Sequence, residues 1–304
     1  MRFQDFTNSQ WAARAGLFIA QQAPRWAGYG VARIAANVIA LRRPGVYRTV
    51  WANLRQIAGP QADDRTLRRM TRRVFLRAGQ TYYDFFHAIG QPPEMLAQAV
   101  RIPESLIALL KSGAETGRGV LFLGIHMSNF DLGILALGAH GLAIQVLSLA
   151  DPAPGFRFFN RLRATAGLEI TPITPQSLRA AVRRLKSGGT VSTGFDRPVI
   201  SDPDDRQDRE LVELFGRPAP LPLGPVRLAL MTGATVVVGC CQYRHHKGYV
   251  LEFTGPIEMA RTGDRRQDIL ANTRRLAVVL EGYVRAQPEQ WLMFHPFWPE
   301  SPAD

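Results

Sequence analysis

Between Gly119 and Gly141 the chain reads GVLFLGIHMSNFDLGILALGAHG. An apolar run from Val120 to Leu123 leads into His126, a small polar turn follows, and Asp131 stands at the head of a second apolar run. Imidazole is the side chain whose ordinary pKa lies in the physiological range. A carboxylate that fixes one of its nitrogens leaves the other as a general base. Burying such a pair costs desolvation, so its place between two apolar segments asks for a reason. With Asn129 or Ser128 capping the helix that follows, Asp131 falls in its first turn, where the helix dipole favours a carboxylate and the imidazole is within reach. The spacing therefore predicts His126 as base and Asp131 as its orienting partner, the logic of a Ser-His-Asp triad without an enzyme nucleophile.

No Gly-x-Ser-x-Gly elbow, Gly-rich loop ending in Lys-Ser/Thr, or His-Glu-x-x-His pair occurs in the sequence. The nucleophile is then expected from a substrate. A base that takes the proton of an acceptor hydroxyl beside a thioester carbonyl performs acyl transfer with no covalent enzyme intermediate. Other titratable clusters read more plainly. His245 and His246 fit a polar turn between two strands, Cys240 and Cys241 fit small core residues, and Asp202, Asp204 and Asp205 lack calcium-loop spacing and fit a solvated loop.

The elements that must position His126 follow from the pattern after about residue 100. The short apolar runs GVLFLGIH, AIQVLSL, LEITPI, GTVSTGFD, ATVVVGCCQYR and GYVLEFTGPIEM alternate with helical patterns. This predicts an α/β fold, a mostly parallel central sheet flanked by helices, with an N-terminal amphipathic helical region. Ligands of such sheets sit outside the carboxyl ends of the strands, where His126 ends one strand and Asp196 another. A long helix closed by Pro288 ends the pattern. The stretch from Arg197 to Pro225 reads as a large loop of the kind that forms a lid or binding loop. Residues 46 to 90 predict amphipathic helix, with Leu67, Met70, Val74, Leu76, Tyr82, Tyr83, Phe85 and Phe86 set among Arg65, Arg68, Arg69, Arg72, Arg73 and Arg77.

The 304 residues, 46% hydrophobic, suffice for a packed core, and 37 Lys+Arg against 25 Asp+Glu give a net charge of +12. A surface of that sign attracts phosphates, whether on an anionic membrane, an acidic carrier protein or a phosphorylated cofactor. Ribonucleoprotein, zinc-finger and recognition-helix patterns are absent, which argues against nucleic acid. Two adjacent cysteines form no disulfide framework and suit a reducing compartment. Before residue 46, WAARAGLFIAQQ and WAGYGVARIAANVIAL are separated by Pro24 and interrupted by Arg14, Arg25 and Arg33. Neither reaches the roughly 20 apolar residues of a spanning helix, and no secretory signal fits. Two readings stand side by side. Residues 1–45 either lie in a membrane interface, with Trp11, Phe18, Trp26 and Tyr29 near the apolar side and Arg42 and Arg43 at the end, or pack as a helical hairpin on the domain of residues 46–304.

HMSNFD resembles the His-x4-Asp/Glu motif of the glycerolipid acyltransferase superfamily. Further landmarks resemble the lipid A biosynthesis (lauroyl/myristoyl) acyltransferase family, which includes phosphatidylinositol mannoside acyltransferases. They are RTVWANLRQIAG (Arg48 to Gly59), NRLRATAGLEI with Arg163 and Gly167, FDRP with Asp196 and Arg197, ELFGRPAPLPLGPVRLALMTGATVV (Glu213 to Val237), and PEQWLMFHPFW (Pro288 to Trp298). Together they cover most of the chain in order.

The resemblance implies His126 as base with Asp131 as partner, and Arg163 as a cation for phosphate or oxyanion. It implies substrate contacts at Asn129, Asp196, Arg197, Phe215, Gly216, Arg217 and Gly224. It implies no metal and no cofactor beyond an acyl-carrier-protein or coenzyme A thioester as donor. Its acceptor is a hydroxyl of a membrane lipid or glycolipid precursor, and its place the cytoplasmic face of the inner membrane, peripherally bound. Asp131 stands where lipid A enzymes generally carry glutamate, and His295-Pro296-Phe297 where they commonly carry His-Arg-Arg; both departures point away from lipid A as acceptor. Two alternatives use the same features, a non-catalytic lipid-binding or membrane-docking protein and a thioesterase in which water replaces the acceptor.

Overall fold

Prolines and acidic caps cut the first third of the chain into helices. The computed structural model describes residues 10–89, 91–149, 154–164, 167–197 and 210–298. Helix α1 spans Gln10–Gln22, α2 spans Arg25–Arg42 directly after Pro24, and α3 spans Gly45–Ala58 directly after Pro44. Proline suits these starts because its fixed φ and missing N–H cost nothing at a helix entrance. Helix α4, Asp64–Ala88, is capped by Asp63, whose carboxylate accepts the Thr66 N–H at 2.8 Å. It buries Leu67, Val74, Phe75, Ala78, Phe85 and Phe86 and leaves Arg65, Arg68, Arg69 and Arg73 exposed, the basic-faced amphipathic helix its spacing predicts.

Helix α2 lies on α4 at very short range. A Cβ on Gly28 would lie 2.1 Å from the Tyr83 ring, and one on Gly79 would lie 2.8 Å from that of Ala32, so glycine at both positions lets the helices touch. Tyr29 and Tyr249 each donate to Asp84 Oδ2, at 2.7 and 2.6 Å, and Arg25 Nε lies 3.4 Å from Oδ1, which pins the helix start to the domain. The opposite side is open: Phe18, Ile19, Trp26, Val31, Ile34, Val38 and Leu41 are exposed. One face of α2 thus packs on α4, and the other, with the end of α1, presents exposed apolar side chains. The side chain of Trp11 lies outside the described residues.

The remaining elements are α5 Pro93–Gln98, β1 Val100–Arg101, α6 Glu104–Thr116, β2 Val120–Ile125, α7 Phe130–Ala139, β3 Ile144–Ser148, α8 Pro154–Ala164, β4 Glu169–Pro172, α9 Pro175–Lys186, β5 Thr190–Gly194, β6 Val212–Leu214, β7 Arg217–Ala219, α10 Gly224–Thr232, β8 Thr235–Arg244, β9 Gly248–Ile257 and α11 Arg265–Ala286. Seven strands form one sheet in the order β1-β9-β8-β2-β5-β3-β4, parallel except for the β8–β9 hairpin. This is the mostly parallel, helix-flanked α/β sheet read from the sequence.

Strand β2 is central and buried on both faces, which is why it reads as a continuous apolar run. Leu121, Leu123 and Ile125 join a core with α3, α4, α9, α10 and α11, whereas Val120 and Phe122 join another with α6, α7 and the end of α4. The stretch expected as one long loop after Arg197 contains the β6–β7 hairpin. Phe215 and Gly216 form its turn with φ of 52° and 74°, the two-residue left-handed turn that matches strand twist. Residues 198–209, with Asp202, Asp204 and Asp205, and hence the first part of the expected lid, lie outside the described residues.

Candidate active site

Parallel register brings the site together. Gly124 on β2 pairs with Gly194 on β5, so the residues two places beyond each strand position, His126 and Asp196, emerge side by side. Asp196 Oδ1 lies 2.5 Å from His126 Nδ1, and Oδ2 accepts the His126 backbone N–H at 3.0 Å and Trp291 Nε1–H at 2.8 Å. A carboxylate acceptor at Nδ1 requires that nitrogen to carry the proton, so Nε2 keeps its lone pair. Gly194 makes room for the ring: a Cβ there would lie 2.8 Å from His126 Cε1. Phe130 meets the ring edge-on at 4.6 Å between centroids.

The expected His126–Asp131 pair is not what forms. Asp131 Oδ1 accepts from Arg163 Nε at 2.6 Å, while Arg163 Nη1 donates to Asn160 Oδ1 at 2.5 Å and Asn160 donates to Ser148 Oγ at 3.0 Å. The reason is local. Ser128 takes a left-handed φ of 45°, and Asn129 caps α7 by accepting the Leu132 N–H, which starts the helix with Asp131 directed to α8. Asn129 itself is fully buried, and its amide donates to the Thr81 carbonyl at 3.3 Å. It is a cap, where a substrate contact is expected from the resemblance.

Burial lowers the His126 pKa below its ordinary value, Arg197 lowers it further, and the opposing pull of Asp196 does not restore it. Burial pushes the Asp196 carboxyl up, but His126, Arg197 and the Trp291 hydrogen bond outweigh it and hold it below the usual carboxylate value. The imidazole is thereby neutral at neutral pH, able to accept a proton beside an ionised carboxylate. Cys240 and Cys241 are neutral thiols there, since burial pushes Cys240 up to about 12 and Cys241 well above its ordinary value. His245 and His246 occupy the exposed turn between β8 and β9.

His126 opens on a cavity between the sheet and helices α7 and α8. Its polar lining includes His126, Asp131, Asn160, Arg163 and Arg197 with the hydroxyls of Ser148, Ser192 and Thr193, and its walls include Phe122, Ile134, Val146, Ile170 and Leu251. Arg197 donates through Nη2 to the Leu292 carbonyl at 3.0 Å, and its buried Nε has no hydrogen-bond partner among the described residues. A second, larger cavity shares Leu147, Ile173, Thr193 and Gly194 with the first, so the two adjoin at the strand ends beside His126. Arg179, Arg183, Arg227, Arg265 and Arg266 line it, together with Gly224 at the start of α10. Phe215, Gly216 and Arg217 line neither cavity, contrary to their expected substrate contacts. Phe215 is buried against Trp291 and Trp298, with centroids 6.3 and 6.1 Å away, and supports the residue that holds Asp196.

Trp291 and its supports are the site residues that reading from the sequence did not single out. Leu292 N–H donates to the His126 carbonyl at 3.0 Å and Ser128 N–H to that of Gln290 at 2.7 Å, so the segment after α11 clamps the histidine turn. Gln290 is bonded to both backbone groups of Tyr243 on β8, and Asn53 on α3 bonds Met293, His295 and Phe297. The signal was the apolar, aromatic run QWLMFHPFW after a proline, too dense in aromatics for a tail.

Residues 5–300 match the family model described as bacterial lipid A biosynthesis acyltransferase. The phosphatidylinositol mannoside acyltransferase of Mycobacterium tuberculosis (strain ATCC 25618 / H37Rv) is 23% identical over 193 residues, 62% of this chain and 57% of that relative. The phosphatidylinositol mannoside acyltransferase of Mycolicibacterium smegmatis (strain ATCC 700084 / mc(2)155) is 24% identical over 195 residues, 62% of this chain and 60% of that relative. The chain thus spans less than two thirds of the length of these relatives.

Proposed function

The chain belongs to the bacterial lipid A biosynthesis acyltransferase family, and from that premise we propose that it moves a fatty acyl group from a thioester to a hydroxyl of a membrane lipid or glycolipid. One observation carries the reading: a histidine fixed through Nδ1 by a buried carboxylate, its other nitrogen left for a mostly apolar cavity. His126 Nε2 takes the acceptor O–H proton as the oxygen attacks the thioester carbonyl. Asp196 keeps the ring in the required tautomer and stabilises the imidazolium that forms. Collapse of the tetrahedral intermediate breaks the C–S bond, and His126 returns the proton to the leaving thiolate. Arg163 and Arg197 supply positive charge for the oxyanion, and Asp131 sets the orientation of Arg163.

The arginines of the second cavity suit the phosphate that acyl carrier protein and coenzyme A both carry on their pantetheine arm. The acceptor class follows the resemblance and the names of the relatives. No described helix is long and apolar enough to cross a membrane. The exposed apolar face of α1 and α2 supports a peripheral membrane position.

The test incubates the purified protein and its His126→Ala variant with radiolabelled acyl-carrier-protein or acyl-coenzyme A thioesters and a membrane-lipid extract. Labelled lipid is expected from the unmodified protein, reduced about 100- to 10,000-fold in the variant. Free fatty acid released without labelled lipid would favour the thioesterase. Lipid binding with neither product would favour a docking protein.

A further inference from the structure

Strand β2 pairs Gly124 with Gly194 on one side and with Gly239 on the other. Three neighbouring strands thus lack a side chain at one level of the sheet, on the face covered by α7. At strand spacing the row is about 10 Å long. The level before it, on the same face, carries Val146, Ser192, Phe122 and Val237, paired in that order across β3, β5, β2 and β8. The result is a transverse trough whose side wall is that row and whose cover includes Ile134 and Leu137 of α7.

The two ends of the trough differ. At Gly194 the His126 ring lies over the backbone, with Cε1 2.8 Å from where a Cβ would be. In the middle, a Cβ on Gly124 would meet only the Thr193 carbonyl oxygen, at 3.9 Å. At Gly239 the Phe122 ring leans across from β2, and a Cβ there would lie 2.4 Å from its Cζ and 2.8 Å from its Cε2. Phe122 is buried, and Gly239 is what permits its ring to lie there.

We propose that Phe122 sets the length of the acyl chain this protein accepts, by closing the trough at the end away from His126. The identity of the occupant as an acyl chain rests on the acyl-transfer reading above. With its carbonyl carbon beside His126 at the Gly194 end, the chain runs over Gly124 and its methyl end meets the Phe122 ring. Apart from the Ser192 hydroxyl in the side wall, the side chains named along this path are apolar, and each methylene buried against them is favoured.

The experiment measures turnover with a series of saturated acyl thioesters of increasing length, alongside displacement of a fluorescent fatty acid by free saturated fatty acids. Phe122→Ala is expected to favour longer chains, by about fourfold for each added methylene that becomes buried. Gly124→Val fills the middle of the trough and is expected to restrict turnover to short chains. Gly239→Ala drives the Phe122 ring into the trough and is expected to shorten the preference, and that effect should vanish in the Phe122→Ala background. Each readout is a ratio between chain lengths within one variant, so a smaller folded fraction does not imitate it.

Transfer that persists with an unchanged length profile in Phe122→Ala and Gly124→Val would overturn this inference and leave the acyl-transfer reading intact. A shifted fatty-acid binding profile without transfer in any variant would uphold the trough and remove the transfer reading. Neither binding nor transfer would overturn both.

Discussion

Asp196 accepts two hydrogen bonds from one residue, the backbone N–H and Nδ1 of His126, and a third from Trp291. Three donors converge on its two oxygens, so no neutral amide can replace it without turning an N–H toward another N–H. Asp196→Asn is therefore expected to disturb the imidazole tautomer while the cavity stays in place. A fall in kcat of about 10,000-fold, with donor KM changed little, is the outcome expected by analogy with a triad aspartate. Steady-state kinetics with saturating acceptor checks it. A variant with near-normal kcat would remove Asp196 from the mechanism.

Asp131 answers to a different partner. It and Arg163 keep only 11% and 8% of their side-chain exposure, so deleting the carboxylate takes an ion-pair partner from a buried cation. Asp131→Ala is expected to lose roughly 3–5 kcal/mol of stability, and Asp131→Ala/Arg163→Ala to lose less than the sum of the single changes. Urea unfolding of the four proteins gives the cycle. Asp131 acts on His126 through charge alone, raising its pKa as the smallest of the influences on it, so in Asp131→Ala the acid limb of the rate profile should move only slightly, toward lower pH. A large shift would restore the pairing read from the sequence.

The same geometry fixes how pH acts. The folded protein holds His126 below its ordinary 6.5, through burial first and Arg197 second. As pH falls through about 6.5 the unfolded chain takes this proton before the folded one does, so stability declines in the window below 6.5. His295, lowered by burial and Arg197, contributes in the same window and sense. Asp196, held below 3.8, adds stability above that value that is lost only at more acidic pH. Thermal melts from pH 7.5 to 4.5 should show a smaller decline in His126→Gln than in the unmodified protein. The rate should hold through neutrality and fall on an acid limb below 6.5, as the base becomes protonated. A limb at or above 6.5 would contradict the lowered value.

The strands and the base were legible because each rests on local pattern. Val120 to Ile125 is apolar throughout since both its faces are buried, and His126 is conspicuous at its end. The partner was not legible, because it comes from the neighbouring strand. Asp131 and Asp196 both stand at strand or helix ends, and only the Gly124–Gly194 register decides which one reaches the imidazole. Phe215 and Gly216 look like a binding loop for a similar reason. The left-handed turn and the packing on Trp291 are tertiary facts, and the family resemblance marks the segment without saying which way its side chains face.

Trp26 and Leu41 keep 79% and 83% of their exposure on a helix whose other side is packed. At 3.6 residues per turn, Trp26, Val31, Ile34, Val38 and Leu41 fall within an arc of about 140°, opposite the buried Ala32 and Ala36. Arg33 and Arg42 border that arc, so a headgroup layer would meet an apolar stripe edged with cations. Trp26→Ser/Leu41→Ser is therefore expected to weaken sedimentation with anionic phospholipid vesicles at least tenfold, since burying each such side chain is worth about 1.5–3 kcal/mol. Raising salt should weaken the unmodified protein's binding too, because the arginine contribution is screened. Substrates soluble without vesicles should be turned over at an unchanged rate, because α2 touches neither His126 nor the cavity beside it. Vesicle binding that survives both substitutions would place the membrane contact on another face.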